Sequence, residues 1–112
     1  MARKEPLPPA VRAALRDVKK KLSDLYGDRL DSIYLYGSYA RGDYGADSDL
    51  DLLVVLRGEV NPWQEVTRVS GILSEICLKH DVLISSYAVP EIWLRERQSP
   101  LLQNIRREGV PV

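Results

Sequence analysis

The stretch Asp49 to Leu56, DLDLLVVL, constrains the fold more than any other part of the chain. Five consecutive apolar side chains, Leu52 to Leu56, follow two acids in alternate positions and stop at the turn Arg57-Gly58-Glu59. A run this short reads as a β-strand, and its near-continuous apolar end needs cover on both faces. The fold therefore has to be a sheet with helices packed on it. The same strand opens with Asp49 and Asp51, whose carboxylates project to one side about 6.6 Å apart along the chain. Two acids so placed repel each other and lose hydration. Something must compensate their charge.

The flanking segments supply the layers. After Pro8 and Pro9, the residues Val11, Leu15, Val18, Leu22 and Leu25 form the apolar stripe of an amphipathic helix that ends near Gly27. DSIYLYG is a short strand stopping at Gly37, on which Tyr34 and Tyr36 are packing residues. A second helix spans Asn61 to His80, with Val66, Val69, Leu73, Ile76 and Cys77 at helical spacing. DVLISSYAV, Asp81 to Val89, reads as a third strand. Pro90 opens a helix carrying Ile92 and Trp93, and Ser99-Pro100 opens another that ends at Gly109. The expected fold is α/β (α+β): one domain, residues 1–112, with a small mixed β-sheet flanked by helices.

Lys+Arg and Asp+Glu balance at 16 each, which argues against non-specific binding to a long nucleic acid. The lone Cys77 can form no internal disulfide and reads as a buried small hydrophobe, in keeping with a reducing, cytoplasmic setting. The basic start, MARKEPLPPAVRAAL, lacks the apolar stretch of a signal peptide, and no segment reaches the length of a membrane span.

Eleven residues separate Gly37 from Asp49, a long connection that calls for a function or for structure of its own. Divalent cations account for the paired aspartates better than a shared proton, because Mg²⁺ favours one or two carboxylates completed by water and phosphate oxygens. Gly37, lacking a Cβ, lets a phosphate approach the main chain, and Ser38 can begin a short helix whose free N–H groups attract an anion. Arg41 offers fixed positive charge, and Gly42 and Gly45 let the loop return to the strand. A calcium loop fails on spacing, since DYGADSDLD lacks the glycine and glutamate at the required places. A Walker loop is excluded because no G-K-[ST] occurs. Surface acidity explains Asp43 and Asp47, but not Asp49 and Asp51 at the head of a core strand.

The spacing G-S-x2-R-G-x5-S-D-x-D, carried by Gly37, Ser38, Arg41, Gly42, Ser48, Asp49 and Asp51, resembles the signature of the DNA polymerase beta-like nucleotidyltransferase superfamily. The compact length resembles its minimal nucleotidyltransferase (MNT) type, often paired with HEPN-domain proteins. The resemblance implies a nucleotidyltransferase-type core and in-line attack by an acceptor hydroxyl on the α-phosphorus of a nucleotide, ATP foremost, with release of pyrophosphate. It implies two Mg²⁺ ions, replaceable by Mn²⁺, held by Asp49 and Asp51. A third carboxylate on a neighbouring strand falls to Asp81, as catalytic base and metal ligand. Gly37 and Ser38 would seat the β- and γ-phosphates, and Ser48 would orient a ligand carboxylate.

The MNT pairing further implies an antitoxin that transfers AMP to a tyrosine of a HEPN ribonuclease, masks it, or does both. A small-molecule (antibiotic) nucleotidyltransferase completed by dimerisation is the remaining alternative, and exposed strand edges leave room for a homo-oligomer. Tyr39 and Tyr44 could stack on a base or simply face solvent. His80 reads as a helix-end or surface residue outside the chemistry. Arg95, Arg97, Arg106 and Arg107 read as a solvated helix face.

Overall fold

The computed structural model describes residues 7–112; the basic start, residues 1–6, lies outside the described residues. Helix α1 runs Pro9–Tyr26 and ends where Gly27 turns to φ 55° and returns its N–H to the Ser23 carbonyl. A single 3-10 turn, Gly27–Arg29, leads into strand β1, Leu30–Tyr36, followed by the one-turn helix α2, Ser38–Arg41. Strand β2 is Leu50–Leu56, helix α3 Pro62–His80 and strand β3 Ile84–Pro90. Helices α4, Glu91–Glu96, and α5, Pro100–Glu108, precede a two-residue strand β4, Val110–Pro111. No helix among the described residues is long and apolar enough to cross a membrane.

The sheet is mixed, with order β3-β2-β1-β4. β1 pairs antiparallel with β2 and β4, while β2 pairs parallel with β3 across the α3 crossover. β2 is thus the inner strand its composition demands, and Leu52 to Leu56 are all buried. Its two faces go to different layers. Leu50, Leu52, Val54 and Leu56 pack with Val18 and Leu22 of α1 and with Val69, Leu73 and Ile76 of α3. Leu53 and Val55 pack with Val89 and with Leu102 and Ile105 of α5. Asp51 is the next residue along that second face and is only half-buried.

Several expectations shift by a residue or more. β2 starts at Leu50, so Asp49 stands just outside the strand. β3 starts at Ile84, because Asp81 ends α3 in the left-handed conformation (φ 54°, ψ 49°) and gives its N–H to the Cys77 carbonyl. The stripe of α1 closes on buried Tyr26, four residues after Leu22, while Leu25 is rotated outward. On α3 the buried row is Glu65, Val69, Leu73 and Ile76, leaving Val66 exposed and Cys77 half-buried rather than buried. The buried Glu65 carboxylate accepts a 2.6 Å hydrogen bond from the Tyr26 hydroxyl and an ion pair from Arg68. β4 was not expected at all. Val110 and Pro111 lie opposite Leu35 and Tyr34, and Val112 N–H reaches the Ile33 carbonyl.

Candidate active site

The site begins where β1 stops. Gly37 caps α2 with φ 76° and ψ −153°, a conformation L side chains rarely adopt. Its carbonyl accepts from Arg41 N–H, and the Ser38 carbonyl accepts from both Gly42 and Asp43 N–H, so the turn is closed tightly. Gly42, at φ 88°, ends it. Tyr36 lies opposite Asp51 in the β1–β2 ladder, which sets Gly37 beside the Asp51 side chain. A methyl group on Gly37 would run into the Asp51 carboxylate, Oδ2 foremost. Glycine is required twice over, by backbone angle and by this close approach. The Gly-Ser turn and the Asp51 carboxylate therefore bound one volume.

The electrostatics agree with a crowded acidic pair. Burial and the nearby charge of Asp49 push the Asp51 carboxyl above the usual carboxylate range, with Arg41 pulling the other way. Burial, followed by the charge of Asp51, raises the Tyr36 phenol as well. Arg41 itself is spoken for in this state. It pairs with Asp43 at 3.2 Å and with Glu108, at the end of α5, at 3.4 Å, and the Asp43 contact chiefly raises its pKa.

The long loop has structure of its own. Tyr39 and Tyr44 stack on each other, ring centroids 4.3 Å apart and 14° from parallel. Ser48 Oγ accepts from Gly45 N–H at 2.9 Å, and Ser48 N–H returns to the Gly45 carbonyl at 3.2 Å. Ser48 thus shapes the loop just before the acidic pair.

The structure does not bring Asp81 to that pair. Asp81 caps α3 and lines a cavity of about 490 Å³ with Asp47, Ser48, Leu50, Cys77 and Leu78, on the α3 side of the sheet. Asp51 faces the opposite side. On β3 the residue alongside Asp51 is Ser85, and the strand ISSYAVP contains no acid. Among the described residues, no three His, Cys, Asp or Glu side chains gather closely enough to hold a metal ion. The left-handed turn at Asp81 comes three residues before β3 begins, so Asp81 stands apart from Asp51 in this arrangement. His80 is tied to Asp17 of α1, Nε2 to Oδ2 2.6 Å, away from the site.

Two neighbours of Asp51 that sequence reasoning assigned to packing or left aside, Tyr36 and Ser85, belong to its surroundings. The two-residue alternation of β1 back from Gly37 was the available signal for Tyr36. None existed for Ser85, since it depends on the register between β2 and β3.

Comparison with known proteins agrees with this geometry. The profile of the family described as "Nucleotidyltransferase domain" matches residues 15–104. Two Methanocaldococcus jannaschii proteins bear the name "Putative protein adenylyltransferase". One is 35% identical over 98 residues, spanning 88% of this chain and 94% of its own length. The other is 35% identical over 97 residues, spanning 86% and 91%. Among solved structures, a nucleotidyltransferase-type protein from Sulfolobus solfataricus shares the fold with a TM-score of 0.59 at 21% identity, over 97% of this chain and 90% of that one. A toxin–antitoxin structure with AMP-PNP superposes with a TM-score of 0.60 at 21% identity, over 86% and 69%. With its Gly-Ser turn packed against Asp51 and the family profile spanning both halves of the fold, the chain belongs to the nucleotidyltransferase domain family and is a nucleotidyltransferase.

Proposed function

We propose that the chain transfers AMP from ATP to a hydroxyl of another protein, a tyrosine of a partner HEPN-domain toxin, and acts in the cytoplasm as the antitoxin of that pair. The observation that carries this reading is the abutment of Gly37 on the Asp51 carboxylate, with the charge of Asp49 felt at the same place. The relatives named as protein adenylyltransferases favour a protein acceptor and an AMP donor. The toxin–antitoxin neighbour favours the antitoxin setting.

Nucleotidyltransferases of this fold use divalent metal ions, and the donor set here fits them. Asp49 and Asp51 offer oxygen ligands close to one another, the charge of Asp49 is felt at Asp51 and only partly offset by Arg41, and phosphate oxygens can complete an octahedral shell. Two Mg²⁺ ions, when bound, would neutralise charge on the transferring phosphoryl group. Asp49 and Asp51 hold that charge in place. Gly37 and Ser38 leave room for the β- and γ-phosphates beside the turn, and Gly42 and Ser48 fix the loop that closes it. The acceptor oxygen gives its proton to solvent and bonds to the α-phosphorus as the bond to the β-phosphate breaks, and pyrophosphate departs.

One feature favours a second reading, in which the chain masks its partner without transferring anything. On β3 the residue beside Asp51 is Ser85, while Asp81, to which the resemblance carries the third carboxylate, lies at the end of α3. Incubation with Mg²⁺, each labelled nucleoside triphosphate and the partner protein, followed by intact mass of both chains, separates the two. A gain of one AMP on the partner, lost in D49N and D51N, supports transfer. Neutralisation that survives both substitutions with no added mass supports masking.

A further inference from the structure

The rings first in line to receive a nucleobase, Tyr39 and Tyr44, are stacked on each other. A second aromatic set lies elsewhere on the site's face of the sheet. Partners in a strand ladder point to the same side. Tyr36 is paired with Asp51, and Tyr87 with Leu53, so both rings share the face that carries the Asp51 carboxylate. There they line a cavity of about 390 Å³ with Trp93, Arg97 and Leu102. The Arg97 guanidinium lies over the Trp93 ring, 3.5 Å from its centroid.

Three features fit this cavity to one occupant. Its size sits at the small end of ligand pockets, about 300–1,000 Å³, enough for a ring system and too little for a whole triphosphate. Its lining includes three aromatic residues and a guanidinium that already stacks on one of them, the groups on which bases stack. It is continuous, through Tyr36, with the carboxylate that faces the Gly37 turn. A nucleotide whose phosphates lie at that turn has this cavity within the same face of the sheet, one residue of β1 away.

We infer that the cavity of Tyr36, Tyr87, Trp93 and Arg97 is the subsite for the nucleobase of the donor nucleotide. This rests on the active-site reading above and names the part of the protein that grips the nucleoside end. Affinity for the base is then set by α4 and the edge strand β3, and affinity for the phosphates by α2 and β2.

Only two tryptophans occur, and Trp63 is 83% exposed on α3, so W63F leaves Trp93 as the sole reporter. In that background, emission is followed during titration with Mg²⁺ plus a non-hydrolysable ATP, with inorganic tripolyphosphate, and with N-acetyltyrosinamide as an acceptor-like ring. The ATP analogue should quench Trp93 and tripolyphosphate should not. By calorimetry, R97A (a solvent-exposed position) and W93L should raise Kd for the analogue by about 5- to 150-fold, the range that base stacking supplies. Kd for tripolyphosphate should stay as in the parent. Unchanged affinity for the analogue in R97A and W93L overturns the subsite while leaving the phosphate and metal site standing. Quenching by the tyrosine amide alone assigns the cavity to the acceptor and likewise overturns it. If neither phosphate ligand binds the unsubstituted protein, the active-site reading fails and takes this inference with it.

Discussion

The two faces of β2 are built to different ends. On the α1–α3 face every even-numbered residue from Leu50 to Leu56 is buried, and even the polar pair Tyr26–Glu65 is sealed between the helices. On the other face, α5 covers Val55 and Leu53 and then stops, leaving Asp51 half-exposed beside Gly37. One strand thus serves as foundation on one side and as workplace on the other. Burying the even face supplies the rigidity that holds the odd face's carboxylate against a turn with no Cβ. The uncovered patch is where the molecule tolerates a raised carboxylate pKa, unfavourable at neutral pH, beside a turn conformation that glycine takes without strain.

The largest expected effect lies on the open face. D51N should lower AMP transfer by more than about 100-fold, beyond the 10–100-fold that loss of a residue supporting a metal ligand costs. Stability should move the other way. Because burial and Asp49 raise the folded pKa of Asp51, its contribution to stability is present below the unfolded value of about 3.9 and lost as pH rises through the elevated folded value. At neutral pH the ionised carboxylate therefore costs the empty protein stability, and D51N should melt no lower than wild type. The Tm difference between the two should shrink on acidification. A D51N protein that melts several degrees lower at pH 7 would mean that the carboxylate is a structural anchor, and the contrast between the faces would fail.

On the closed face, L52A removes a fully buried side chain and should cost about 2–5 kcal/mol in urea unfolding. Leu101, half-buried on α5 at the edge of the aromatic cavity, should tolerate the same change at less than half that cost. Equal costs would show that α4 and α5 are as integral to the core as α1 and α3.

A step smaller, Y26F removes the hydroxyl that donates to buried Glu65 and leaves that carboxylate with Arg68 alone. The expected loss is about 1.5–3 kcal/mol, the range for hydrogen bonds to charged groups, with nucleotide affinity unchanged. Coupled loss of nucleotide binding would show that the back of the sheet is not independent of its front.

Most of this contrast was legible from residue order. The apolar run of β2 announced a strand covered twice, and the Gly-Ser step before an acidic pair announced the turn that now abuts Asp51, because both depend on local spacing. The helix cap at Ser99 was legible for the same reason, and its side chain accepts from Leu102 N–H. What failed depends on long-range register. β4 is two residues long and exists only because Val110 and Pro111 find the free edge of β1. Glu65 reads as a surface acid until Tyr26 is seen above it. Asp81 reads as the mouth of a strand because the apolar run Val82-Leu83-Ile84 follows it directly. A left-handed residue ending a helix and a first strand residue carry the same one-letter code.

Asp81 supplies the smallest expected effect and the sharpest use of the comparison. It ends α3 and lines a cavity with Tyr39, Asp47 and Ser48, whereas the side chain that abuts Gly37 is that of Asp51. D81N keeps a residue type that accepts the left-handed conformation, so the helix end and the melting temperature should hold. Transfer activity should then stay within about threefold of wild type, a difference of about 0.65 kcal/mol or less in the barrier. Side-by-side rates for D81N and D51N, normalised to folded protein, measure the difference directly. Comparable losses in the two would require the α3–β3 turn to swing across the end of the sheet when nucleotide binds. In that case the loop closed here by Ser48 and Gly45 would be the segment that has to open.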